Sequence, residues 1–314
     1  LKKVEHKELS ITKDDIIKER LKEIATDKGF SPSSLNTYKN CPLQFYYEKI
    51  LNIKEPAVME ETVEASTLGT VVHRALEDFY HPFLNRKINT EDLKSMLPKI
   101  PTKLKEIFLE EFKSGIFNKG KNKLIFTVAE QFLRSFIKKE IKLISKGNEI
   151  YIKGLEKDLK TEISIEEIDF SVKLNGNADR IDKLNGQLRI IDYKTGKVEL
   201  NELQTDDMEK LIREKKFHKG FQLYLYAYMY QQMYPEQELL ETSIVSFRSL
   251  KKGYLPAGFK KDGKVNKLLN SDLLGYFEKE FKDLLKEIFN PNIPFEHKNR
   301  KEPCRFCDPE AFRS

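Results

Sequence analysis

The chain of 314 residues sets 56 Lys and Arg against 50 Asp and Glu, a net charge of +6, with 39% hydrophobic and 34% charged residues. That apolar share, rich in Phe and Tyr, excludes wholesale disorder and suffices for a sizeable core, while the mild basic excess permits a polyanionic partner without requiring one. No apolar run approaches the ~18 residues of a membrane span, and the charged start LKKVEHKELS lacks a signal-peptide core, so a cytoplasmic location is expected. The start at Leu1 rather than Met reads as a piece of a longer polypeptide.

In chain order, a charged helix is expected around Asp14 to Ala25. In SPSSLNTYKNCPLQFYYEKI, Ser31 offers an N-cap and Pro32 a first helical residue, and two short helices follow. From Thr67 to Leu84, Leu68, Val71, Val72, Ala75, Leu76 and Phe79 recur at helical spacing, with His73 on the border of the stripe. Residues 91–146 read as further helices, broken at SGIFNKGKNK. Patterning turns β-like from Lys160 to Leu174. After a hairpin, FHKGFQLYLYAYMYQQMYP reads as a helix and LETSIVSFRSL as a strand. SDLLGYFEKEFKDLLKEIF reads as a helix facing inward with Leu273, Leu274, Phe277, Phe281, Leu284, Leu285 and Ile288. The stretch KKGYLPAGFKKDGKVNK reads as a solvated loop, with phosphate contact by its lysines as the alternative.

The hairpin NADRIDKLNGQLRIIDYKTGK carries the chemistry. Asn185-Gly186 suits a two-residue type I′ turn, whose central residues both need positive φ. That turn fixes a register in which Leu184 faces Gln187, Asp182 faces Arg189, Arg180 faces Ile191, and Asp179 falls opposite Asp192. Opposed like charges destabilise a strand pair. Lys194 shares a face with Asp192 and supplies one countercharge, but a divalent cation between the two carboxylates is the stronger remedy. Hard oxygen ligands suit Mg²⁺ or Mn²⁺, and a neighbouring ammonium can orient a water or stabilise a phosphate: the makings of a metal-dependent phosphodiester hydrolase. Taken alone, Asp-x-Lys reads as a surface ion pair, and the opposed Asp179 is what favours the hydrolase reading.

Four runs in order, GTVVHRALE, GNADRID, IIDYKTGK and FQLYLYAY, resemble the PD-(D/E)xK nucleases of the RecB and AddB type. The resemblance implies an α/β, restriction-endonuclease-like core with a central mixed β-sheet flanked by helices. It implies a single nuclease domain over 1–314, with a helical insertion at about 91–150 and a cysteine tail at about 290–314. It assigns Asp179 and Asp192 as metal ligands, Lys194 as the lysine at the attacking water, His73 as a nitrogen ligand that would favour Mn²⁺, and Gln222 with Tyr226 as DNA-contacting residues. A third carboxylate is expected, with Glu130 and Glu162 as candidates. The implied activity is exonucleolytic hydrolysis of DNA within a helicase-nuclease that processes double-strand breaks, with a helicase subunit or region as partner. A stand-alone CRISPR-associated-type exonuclease and a catalytically silent DNA-binding module are the rivals.

Cys41, Cys304 and Cys307 resemble three of the four ligands of the 4Fe-4S cluster of AddB-type nucleases. Where the fourth cysteine is expected the chain has Arg313, whose guanidinium cannot ligate iron. The cluster is therefore expected to be absent. Three free thiols, a zinc held with His297, Asp308 or an exogenous ligand, and a cluster with an unusual fourth ligand are the open readings. Packing of Phe45, Tyr46, Phe306 and Phe312 is expected to replace the staple.

Overall fold

The computed structural model describes residues 9–53, 65–111 and 120–297. The chain begins with a short strand, β1 (Ser10–Ile11), and then α1 (Asp15–Glu23), whose N-cap Asp14 accepts from the Ile17 N–H. α2 (Pro32–Asn40) opens on the expected Ser31 cap, closed into a capping box by Ser34, and α3 (Pro42–Phe45) follows at once. α4 (Ala65–Tyr80) leads through a short strand β2 (Arg86–Ile88) to α5 (Thr90–Met96), α6 (Ile100–Glu111) and α7 (Gly120–Ile144).

Two long strands, β3 (Ile150–Ile163) and β4 (Val172–Leu184), then pair antiparallel. β3 begins ten residues before the β-like patterning anticipated at Lys160, because its polar residues alternate irregularly and a register shift between Ile152 and Gly154 breaks the period. The hairpin continues into β5 (Gln187–Lys194). Asn185 and Gly186 have φ of 51° and 87°, as a type I′ turn requires, and the ladder pairs Leu184 with Gln187, Asp182 with Arg189, and Arg180 with Ile191, as read from the sequence.

Beyond β5 lie β6 (Gln204–Thr205), α8 (Met208–Arg213), α9 (His218–Met233) and β7 (Leu240–Ser246), which pairs parallel with β5 and makes the sheet mixed. The stretch 251–267 is not a loop. It forms β8 (Tyr254–Pro256), β9 (Gly258–Lys261) and β10 (Lys264–Asn266), with a second positive-φ turn at Asp262-Gly263. β11 (Leu268–Leu269), α10 (Ser271–Phe289) and β12 (Phe295–Glu296) complete the fold, and β12 pairs with β1.

The main sheet runs β11-β7-β5-β4-β3-β2, with β8 also on β7. Its two faces nucleate two cores. Ile181, Leu188 and Ile190 pack with α9 and α10 through Leu223, Tyr224 and Phe277. Ile152, Ile191 and Tyr193 pack with α4 through α7 by way of Val72, Leu76, Leu133 and Phe136. Alternating residues of β5 thus face opposite layers, each helical on its far side. None of the helices among the described residues is long and apolar enough to cross a membrane.

Candidate active site

The hydrogen-bonded ladder between β4 and β5 stops at Arg180 and Ile191. One residue further in the same register come Asp179 and Asp192, where the backbone of Tyr193 is released to side chains. Its N–H donates to Asp179 Oδ2 at 2.5 Å, and its carbonyl lies 3.0 Å from His73 Nε2. Because the strands part there, His73 from the α4 layer reaches Asp179 and Gln222 from the α9 layer reaches Asp192.

β3 adds a third carboxylate. The β3–β4 register pairs Leu155 with Arg180 and Lys157 with Ala178, so Glu156 sits opposite Asp179. Glu156, Asp179 and Asp192 therefore follow one another across three neighbouring strands. Glu156 has φ of 42°, a left-handed conformation rare for a residue with a Cβ, and Asn177 Nδ2 holds its carbonyl at 3.1 Å. The candidates Glu130 and Glu162 do not reach the site. Glu130 is ion-paired with Arg134 one turn on in α7, and Glu162 is exposed opposite Lys173 on β3. What identifies Glu156 is the register of the folded sheet, an acid on the strand beside β4 and level with Asp179, and no spacing along the chain signals it.

His73, Glu156 and Asp179 bring one ligand atom each to within 4.8 Å of one another. A backbone carbonyl can only accept, so His73 Nε2 carries a hydrogen, and in the neutral ring the Nδ1 lone pair faces Asp179 Oδ1 at 3.4 Å. A lone pair aimed at a carboxylate calls for a cation between them, either a proton or a metal ion. Burial lowers the His73 pKa, but the hydrogen bond and charge of Asp179, with Asp192 and Glu156, overcome this and raise it. Burial, then the charge of Asp179, pushes Glu156 up to about 7. Burial also pushes Asp192 up to about 6, against the pull of Lys194 and with the push of Asp179. This donor set, two to three carboxylates and one imidazole nitrogen, fits a hard or borderline divalent cation.

Asp192 is held from the other side. Lys194 Nζ lies 2.8 Å from its Oδ2, and Gln222 Nε2 donates to its Oδ1 at 2.9 Å and to the Tyr226 hydroxyl at 2.8 Å. Burial lowers the Lys194 pKa, but Asp192 more than restores it, and the ammonium stays charged. Gly176 on β4 lets α9 lie close: a Cβ there would stand 2.7 Å from Tyr226 Cε1 and 2.8 Å from Met229 Cε. A cavity of about 820 Å³ opens on the Lys194 side, lined by Gln222, Tyr226, Asn177, Lys160 and Lys219. Another of about 610 Å³ opens on the His73 side beside Gly69, Arg74 and Glu156. Of the active-site residues singled out in the sequence, His73, Asp179, Asp192, Lys194, Gln222 and Tyr226 gather at the parting of β4 and β5, and Glu130 and Glu162 do not.

Cys41 is buried at the start of α3, where its Sγ accepts from the Gln44 N–H and lies 3.3 Å from His297 Nδ1. Phe45 and Tyr46 pack on Phe295. Cys304, Cys307, Phe306, Phe312 and Arg313 lie outside the described residues.

Comparison with known proteins supplies the context. The chain is 31% identical over 236 residues to an ATP-dependent helicase/deoxyribonuclease subunit of Clostridium perfringens, a match covering 69% of this chain and 19% of that protein. The protein of the same name in Carboxydothermus hydrogenoformans is 30% identical over 193 residues, 57% of this chain and 17% of its own length. That of Clostridium tetani is 24% identical over 191 residues, covering 55% and 16%. The chain thus spans about a fifth or less of the length of the curated relatives it matches. A family model matches residues 29–311, a span holding every acid, the lysine and the histidine of the site: the chain belongs to the PD-(D/E)XK nuclease superfamily.

Proposed function

We propose that this chain is a metal-dependent deoxyribonuclease, exonucleolytic rather than endonucleolytic, and that residues 1–314 act as one nuclease domain. We place it within an AddB- or RecB-like helicase-nuclease for double-strand break end processing and recombinational repair. The relatives' names, which join helicase to deoxyribonuclease, support DNA as substrate and a helicase subunit or region as partner. The observation that carries the proposal is the His73 Nδ1 lone pair converging with the Glu156 and Asp179 carboxylates, Asp192 standing next in the row.

His73, Glu156, Asp179 and Asp192 would hold Mg²⁺ or Mn²⁺, which when bound polarises a phosphate and lowers the pKa of a water. Lys194, fixed on Asp192 at the mouth of the larger cavity, is placed to orient the attacking water or meet a phosphate oxygen. Gln222 holds Asp192 on its side away from His73 and, with Tyr226, lines the wall along which a strand would lie. No iron-sulfur cluster is part of the proposal, so purified protein should be colourless with no stoichiometric iron.

The test is digestion of end-labelled linear and covalently closed circular DNA with Mn²⁺ or Mg²⁺, with and without EDTA, beside Asp192→Asn. Linear DNA should shorten from its ends and the circle should survive. Cleavage that persists in EDTA or in the variant would remove the assignment, and tight binding without any cleavage would make the chain a silent binding module.

A further inference from the structure

Behind the acid row, on the α7 side of the sheet, four charged residues are sealed from solvent. Glu140 of α7 has its side chain 1% exposed and Arg180 of β4 has none exposed, and Arg180 NH1 lies 3.0 Å from Glu140 Oε1. Arg180 NH2 lies 2.6 Å from Asp182 Oδ2. Asp182 in turn accepts from Arg189 Nε at 2.8 Å and NH2 at 2.9 Å. Two phenols close the network on Glu140: Tyr254 donates to Oε1 at 2.6 Å and Tyr80 to Oε2. The Arg180 guanidinium lies 4.7 Å from the centre of the Tyr80 ring.

The network is tied to the site through the elements that carry both. Arg180 adjoins Asp179. Tyr80 lies two turns beyond His73 on α4, and Phe136, one turn before Glu140 on α7, packs edge-on against Tyr193 at 5.6 Å. Tyr193 is the residue whose N–H and carbonyl hold Asp179 and His73. A buried ion network is seldom the cheapest way to stabilise a fold, since apolar side chains of like volume serve as well or better. What its directional contacts supply is fixed geometry.

We propose that Glu140 is a positioning residue for the hydrolytic centre: from the opposite face of the sheet it fixes α4 through Tyr80 and β4 through Arg180. It thereby sets the separation of His73 from Asp179 and Tyr193. The inference rests on the nuclease reading above and extends it to a residue of the helical insertion that touches neither substrate nor metal. Sub-ångström placement matters here, because a misplacement of about 1 Å costs on the order of a hundredfold in rate.

The experiment compares wild type, Glu140→Gln, Tyr80→Phe and the double variant Glu140→Met with Arg180→Met, which removes one charge of each sign. It measures single-turnover cleavage, DNA affinity with Ca²⁺ in place of Mn²⁺, and the Mn²⁺ concentration giving half-maximal rate. The cleavage rate should fall on the order of tenfold to a hundredfold in the Glu140 variants and several-fold in Tyr80→Phe. DNA affinity should hold at the wild-type value, while the Mn²⁺ requirement should rise. Wild-type rates in folded variants would overturn the proposal, and so would equal losses in rate and DNA affinity. Should a Glu140 variant fail to fold, Tyr80→Phe, which loses a single hydroxyl, decides in the same terms. Wild-type protein that cleaves nothing would instead refute the nuclease reading itself.

Discussion

The β4–β5 hairpin and the strand beside it carry two sets of charges only one residue out of step. At the parting of the strands, Glu156, Asp179 and Asp192 stand beside His73 with Lys194 as the one ammonium in contact among the described residues. Behind them, Arg180 and Arg189 meet Asp182 and Glu140, two positive against two negative. The rear set is fully enclosed and satisfied in charge. The forward set opens on cavities and carries more acid than base. Neutrality marks the part that holds the shape, and imbalance marks the part proposed to hold a cation.

The sharpest way to break this comparison is to neutralise one forward acid. Asp179→Asn and Asp192→Asn should each reduce cleavage to about a thousandth or less, about 4 kcal/mol of transition-state stabilisation. The asparagine still offers an oxygen to the Tyr193 N–H or the Gln222 amide, and one repulsion is gone, so the metal-free Tm should hold or rise. Activity retained in either variant would make the forward acids structural. On the rear set the same change does the reverse. Asp182→Asn leaves Arg180 and Arg189 short of an anion and should cost about 3 kcal/mol, about 5 °C in Tm. A melt unchanged by this substitution would deny the network its balance.

Acid should separate the two sets next. Asp192, up to about 6, and Glu156, up to about 7, bind protons more tightly in the folded chain than in the unfolded one. The metal-free fold is therefore stabilised at low pH and loses that stability as the pH climbs from about 4 to 7. His73, also raised, acts in the same sense, contributing below its unfolded value and losing that contribution as the pH passes its folded one. Burial works to raise Asp182, but Arg180 and Arg189 overcome it and hold the carboxyl below its usual value, so the rear set contributes above about pH 4 and fails only below it. Melting of metal-free protein should thus occur a few degrees higher at pH 5 than at pH 8, a difference on the order of 1–2 kcal/mol. Mn²⁺ should stabilise more at pH 8, where its ligands are already deprotonated. A flat melting profile between these pH values would contradict the forward shifts.

The smallest effect addresses the turn that aligns both sets. Gly186 has φ of 87°, so Gly186→Ala should cost about 1 kcal/mol. The rate per folded molecule should not change, since register is pinned along the whole ladder. A selective loss of rate would mean the turn alone sets the alignment.

How much of this the sequence disclosed follows from which signals are local. Asn185-Gly186 specifies a turn by backbone sterics alone, and from it the pairing down to Arg180 and Ile191 could be counted. Glu156 could not, because it depends on how β3 aligns with β4, and a register shift and a left-handed residue defeat counting along β3. Nothing in the sequence singled out Glu140 within its helix, since its partners lie 40 or more residues away and only the folded sheet brings them to it. The lysine-rich stretch 251–267 read as a loop because its glycines and charges hide short strands that borrow their order from β6 and β7.

Gly176 works as a shim of zero thickness. With a hydrogen where other residues carry carbon, Tyr226 and Met229 lie flush on β4, and the helix bearing them sets how far Gln222 stands from Asp192. Alanine and then serine at this position would press on Tyr226 and Met229 and jack α9 outward by successive fractions of an ångström, without touching the acids or Lys194. The position is thus a mechanical adjustment of the slot between α9 and the acids. An engineer could turn it to vary the room beside the acids while leaving the proposed reacting groups themselves unaltered.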